Sequence, residues 1–111
     1  MKYIGNYKEF NLDLVEKRKT NTQNTLVFEP GKIKYAHTDQ FLSNNNNPLK
    51  YIMFLTDWEI GHIFSHGDNM LSDYKSGDLY QVDDNADTVF CIANIGYTTS
   101  SMLEILLHDG E

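Results

Sequence analysis

The residues best able to do chemistry in this chain are acids, and they are crowded together. Eight carboxylates fall between Asp57 and Asp87, interleaved with Trp58, Tyr74 and Tyr80. Residues 1–50 carry eight Lys/Arg against five Asp/Glu, a net of +3. Residues 51–111 carry Lys75 alone against eleven acids, a net of −10, and the two halves make −7. A face of unrelieved like charge repels itself, and surfaces that serve only solubility mix signs. Aromatic residues ringed by polar groups are the usual anchors of protein interfaces. The pattern predicts an acidic, aromatic-dotted face that holds a basic partner. Asp73, Asp78, Asp83, Asp84 and Asp87 are the expected steering cluster, Asp57 a further contact, and Tyr74 and Tyr80 the exposed anchors. The competing reading is a solvated surface that keeps an acidic chain in solution.

Other constellations are weaker. His62 and His66 are four apart with Asp68 beyond, a spacing that would put both imidazoles on one helix face, as a metal site requires. The His-Glu-x-x-His motif is absent, and the plainer reading is a solvated helix end where His66 meets the negative pole of the helix dipole. Asp83, Asn85 and Asp87 begin a calcium-loop pattern, but Thr88 stands where Gly must turn and Asn94 where a bidentate Glu is needed. Asp57 with Glu59, or Glu59 with Asp73, could form a glycosidase carboxylate pair, yet such pairs arise by chance in so acidic a chain. Cys91 sits in the apolar run Val89-Phe90-Cys91-Ile92-Ala93, so burial rather than nucleophilic reactivity is expected of it. Phosphate-cradling glycine motifs are missing. Lys17-Arg18-Lys19, with Lys8, Lys32 and Lys34, could attract nucleic acid, but the field of a −7 chain opposes that. These residues predict no catalytic set, no metal, no cofactor, no direct nucleic-acid binding and no enzyme.

The elements that must position these residues read mostly as strands. A chain of 111 residues is expected to form a single globular domain, 1–111, with one modest core. Strands are predicted over Lys2–Tyr7, around Phe10, Leu12 and Leu14, over Thr25–Glu29 and Lys32–His37 flanking Pro30-Gly31, and over Tyr51–Leu55, Leu79–Val82 and Thr88–Ile95. Lys17 to Asn24 reads as an exposed basic loop, Asp39–Leu42 as a helical turn, and Asn44–Asn47 as a surface turn before Pro48. Two capping boxes predict helices: Thr56-Asp57-Trp58-Glu59 opening one to about Ser65, and Ser101-Met102-Leu103-Glu104 opening another to about His108. The expected architecture is α+β, a mainly antiparallel sheet with two short helices packed on it, with a β-sandwich as the alternative.

One cysteine, no apolar leader and no run near the ~20 apolar residues of a membrane span predict a cytoplasmic chain without membrane contact. Met1 to Glu111 reads as a complete small gene product. In this overall profile the chain resembles the contact-dependent growth-inhibition immunity proteins of bacteria. The resemblance implies that it binds and neutralises a cognate toxin domain, by preference a basic nuclease, covering the active site with its acidic face. Two alternatives stand beside it: a phage-encoded nucleic-acid mimic that inhibits a defence nuclease, and a small hydrolase or metal-dependent enzyme.

Overall fold

A computed structural model describes residues 1–38, 40–82 and 89–110, for 35–38 and 40 the backbone only. Among the described residues nine strands form two antiparallel sheets. They are β1 (Lys2–Asn6), β2 (Thr20–Phe28), β3 (Ile33–Thr38), β4 (Asn46–Phe54), β5 (His62–His66), β6 (Asn69–Leu71), β7 (Asp78–Val82), β8 (Val89–Asn94) and β9 (Ser100–Asp109). One sheet has the order β1-β7-β4-β9-β2, the other β3-β8-β5-β6. The expectation of a mainly antiparallel β protein therefore holds, in its sandwich form.

The two sheets meet through an aromatic core. Phe28, Ile52, Phe54, Val82 and Met102 of the first sheet pack with Phe64, Phe90 and Ile92 of the second. Phe54 and Phe64 touch edge to face across the layers at 5.4 Å between ring centroids, a favoured aromatic geometry. The first sheet is also covered on its outer face. Tyr51, Met53, Leu79, Ile105 and Leu107 lie there beneath Tyr7, Phe10, Leu12, Leu14 and Val15 of the segment that follows β1. Phe10, Leu12 and Leu14 were expected to alternate along a strand. They instead straddle a single 3-10 turn, Leu12–Leu14, capped by the Asn11 side chain.

Both predicted helices are corrected. Residues 101–108 belong to β9, paired to β4 on one side and to β2 on the other. A strand apolar on both faces carries no period-2 signal, so Met102 to Leu107 mimics a helix face. Residues 57–61 are an irregular connection and 62–66 are β5. The intended cap is spent elsewhere: the Thr56 hydroxyl accepts from the Ser101 amide and the Asp57 carboxylate from the Ser76 amide. Helix is confined among the described residues to that 3-10 turn and α1 (Gln40–Asn44), which overlaps the expected turn at 39–42. Thr20–Asn24 extends β2 rather than forming a loop, and Asn46 and Asn47 already belong to β4. No helix among the described residues is long and apolar enough to cross a membrane.

Candidate functional site

The interior of the sandwich is apolar in its middle and polar towards its ends, with His62 and Asn94 buried near one and Lys50 and His66 near the other. β4 turns Ile52 and Phe54 into the interlayer core, and by strand alternation Lys50 shares their face. Its ammonium lies 4.6 Å from the centroid of Phe90, a residue of the opposite sheet, so the charge sits between the layers. β9 brings Glu104 opposite Ile52, one pleat from Lys50, and the Lys50 Nζ to Glu104 Oε2 distance is 3.2 Å. The Asn24 amide, directly across β9 on β2, donates to the other carboxylate oxygen at 3.4 Å. His66, opposite Phe90 in the register, places its imidazole 4.5 Å from the same ring. The Lys50 and Glu104 side chains are only 9% and 15% exposed. They form a charged pair at the rim of a water-poor interior, where charge acts more strongly than at the surface.

The fit of this end to a metal ion follows from its donor set. A protein metal centre needs three or more oxygen, nitrogen or sulfur ligands converging on one point. No group of three or more His, Cys, Asp or Glu is so placed among the described residues. The cation beside Glu104 is the Lys50 ammonium. Among the described residues, this end does not offer the ligands of a metal centre. His62 and His66, the pair singled out by spacing, lie on a strand rather than a helix. Both are buried, but four strand steps hold them about 13 Å apart with Phe64 between.

His62 has a structural task instead. Its Nδ1 accepts from the Glu59 amide at 3.2 Å, so Nε2 carries the proton and donates to the Thr98 carbonyl at 2.9 Å. Asn94, fully buried, donates to the Phe28 and Thr98 carbonyls at 2.7 Å each and accepts from the Gly96 amide. Together they brace the connection 55–61 against 95–99. Trp58 joins the brace by donating from its indole to the His62 carbonyl at 2.9 Å. The braced loops carry exposed Ile60 and Tyr97 beside Trp58 and Glu59, around a groove of about 410 Å³.

The predicted acidic face is dispersed. Tyr74 is 3% exposed and stacks on Phe54 with ring centroids 3.7 Å apart, so it is core and not an outer anchor. Burial raises its phenol pKa, against a smaller lowering by a hydrogen bond with Ser100. Tyr80 is half-buried, edge to face with Phe54 and Tyr3, and burial, then the Asp78 charge, raises its pKa. Asp78 is buried and accepts from the Asn6 amide at 2.8 Å and the Lys75 backbone at 2.9 Å, fastening β1 to β7. Asp57 and Asp73 are exposed, Asp57 tied to Ser76 and Asp73 in a left-handed turn with φ of 58°. Asp83, Asp84 and Asp87 lie outside the described residues. Cys91 is half-buried. Lys50 and Glu104 belong to no catalytic or ligand-binding motif or diagnostic spacing in the sequence. Their signal was present: each is a lone charge on the inward parity of an otherwise apolar run, Leu49–Leu55 and Met102–Leu107.

No known sequence family matches this chain, and no curated protein does. Solved structures do. One is described as a predicted oxalate decarboxylase from Thermotoga maritima, with a TM-score of 0.55 and 16% identity over 78% of this chain and 64% of that one. The described fold is decided by this likeness and by two more. The chain has a cupin-like β fold. A Cupin 2 conserved barrel domain protein from Salinispora arenicola CNS-205 aligns over 96% of this chain and 72% of its own, with a TM-score of 0.53 and 9% identity. A cupin superfamily protein from Desulfitobacterium hafniense DCB-2 aligns over 87% and 86%, with a TM-score of 0.51 and 16% identity. This chain thus spans just under two thirds of the Thermotoga protein. At such identities the likeness speaks to the fold alone. It overturns the immunity-protein resemblance, because the similar structures are cupin-type and nothing in them points to toxin neutralisation.

Proposed function

We propose that this chain is a cupin-type binding protein that takes a small carboxylate-bearing molecule at the Lys50 end of its interior. The observation that carries this reading is the Lys50–Glu104 pair between the sheets, with the ammonium against Phe90. A buried ion pair is poor value as a stabilising device: apolar residues of similar volume do as well or better. Charge held between two apolar sheet faces is more readily understood as ligand recognition. An ammonium there favours an anionic oxygen, and the aromatic wall of Phe90 and Phe64 suits a small ligand body. The Thermotoga neighbour, described as a predicted oxalate decarboxylase, supports a small acid as the ligand class.

A catalytic role for the same end is the second reading. It is favoured by Lys50 and His66 beside one ring, with Glu104 paired to Lys50, since all three side-chain types can exchange protons. The lone Cys91 supports a reducing cytoplasm as the location.

The test is a thermal-shift titration of wild type and Lys50→Met with oxalate, malonate and succinate. At least one acid is expected to raise the wild-type melting temperature in a saturable way and to leave Lys50→Met unmoved. Equal shifts in both proteins, or none in wild type, would overturn the reading.

A further inference from the structure

The two sheets have four edges, and three of them are protected against pairing with another chain. β1 is five residues long and its register to β7 shifts between Tyr3 and Gly5. β3 carries Lys34, and its register to β8 shifts between Lys34 and His37. β6 has three residues. Shortness, irregularity and lysine are the usual ways of blunting a sheet edge.

β2 has none of these. It runs nine residues, Thr20 to Phe28, in unbroken register with β9 from Thr20↔His108 to Phe28↔Ser100. Its sequence, TNTQNTLVF, contains no charge, no proline and no glycine. Residues 21–25 are exposed, and among the described residues no strand pairs with its other side. An edge so long and regular is a template for a further strand.

We infer that β2 pairs with β2 of a second copy of this chain, antiparallel about a two-fold axis, to join the two five-stranded sheets. The occupant is indicated by charge. The register that pairs all nine residues is centred on Asn24, facing Asn24 of the partner subunit. It sets Lys19 of each copy directly opposite the other's Glu29. Both are exposed, and among the described residues neither takes part in an ion pair. Opposite charges facing across strands favour the pairing. The edge carries no net charge between them, so nothing in it repels its own copy. Two-fold pairing consumes the edge in both copies, so association closes at two.

Sedimentation velocity and light scattering across a wide concentration range test this. Wild type is expected to show a concentration-dependent species of twice 12.8 kDa. Gln23→Lys with Thr25→Lys would set like charges directly opposite each other in that register, and is expected to remain monomeric with an unchanged circular dichroism spectrum. Lys19→Glu is expected to weaken the dimer by about tenfold, and adding Glu29→Lys to restore it. A wild type that stays monomeric throughout, or a Gln23/Thr25 double variant that dimerises like wild type, overturns the proposal. Failure of the charge swap to restore the dimer overturns the register.

Discussion

Replacing Lys50 by Met isolates the charge at the site, because Met keeps much of the apolar stem against Phe90 and removes the ammonium. Glu104 would then hold a carboxylate at the rim of the interior, its described polar neighbour being the Asn24 amide at 3.4 Å. Breaking a buried pair from one side costs roughly 3–5 kcal/mol. Since Glu104 keeps a little contact with solvent, the lower figure applies, the lost cation–π contact being counted within it. The expected loss is about 3 kcal/mol. Lys50→Met with Glu104→Leu removes both desolvated charges and is expected to come back to within about 1 kcal/mol of wild type, or above it. Urea unfolding reads this directly. With a slope of roughly 1.5 kcal/mol per molar, the single variant's midpoint falls by about 2 M and the double variant's recovers. A single variant with the wild-type midpoint would mean that the ammonium is not desolvated. A double variant as unstable as the two singles summed would mean that the charges are uncoupled. Either result refutes the interlayer placement on which the site rests.

Further outcomes follow from the brace and the core. A Cβ on Gly61 would meet the Gly96 Cα at 2.3 Å, and its φ of +97° disfavours any side chain, so Gly61→Ala should destabilise by about 1–3 kcal/mol in a denaturant titration and broaden the backbone signals of 57–61 and 95–99. Tyr74 is buried with its phenol pKa raised above the ordinary value of 10.0. The folded state therefore holds the proton more tightly than the unfolded chain, and its contribution is intact below pH 10 and lost as pH rises through the raised value. Wild-type stability should fall over that alkaline range, and Tyr74→Phe should lessen the fall.

The fold was legible where burial is local and the period unambiguous. Tyr51–Leu55, Leu79–Val82 and Thr88–Ile95 are short apolar runs bounded by turns, and they correspond to the buried parts of β4, β7 and β8. It was illegible where a residue's environment is set by distant chain. Ser101–Glu104 has the letters of a helix cap, but β2, β4 and the covering segment 7–15 surround it and make it strand. Thr20–Asn24 carries no apolar alternation because it is an edge, paired on one side and exposed. The acidic face failed for a related reason: composition counts charges without saying where they point. Asp78 and Tyr74 lie in the same acidic stretch as Asp57 and Asp73, yet the first two hold the structure together. The site itself was written as two lone charges inside apolar strands, a signal that gains meaning only once β4 and β9 are known to be neighbours.

The most direct test of the Lys50 site is a solution NMR titration that follows the ring signals of Phe90 and His66 as oxalate is added, with Tyr97 as a remote control. Binding at the Lys50 site requires saturable shifts at Phe90 and His66, none at Tyr97, and no response at any of them in Lys50→Met. Saturable shifts confined to the Tyr97 end, or the same shifts in Lys50→Met, would contradict it.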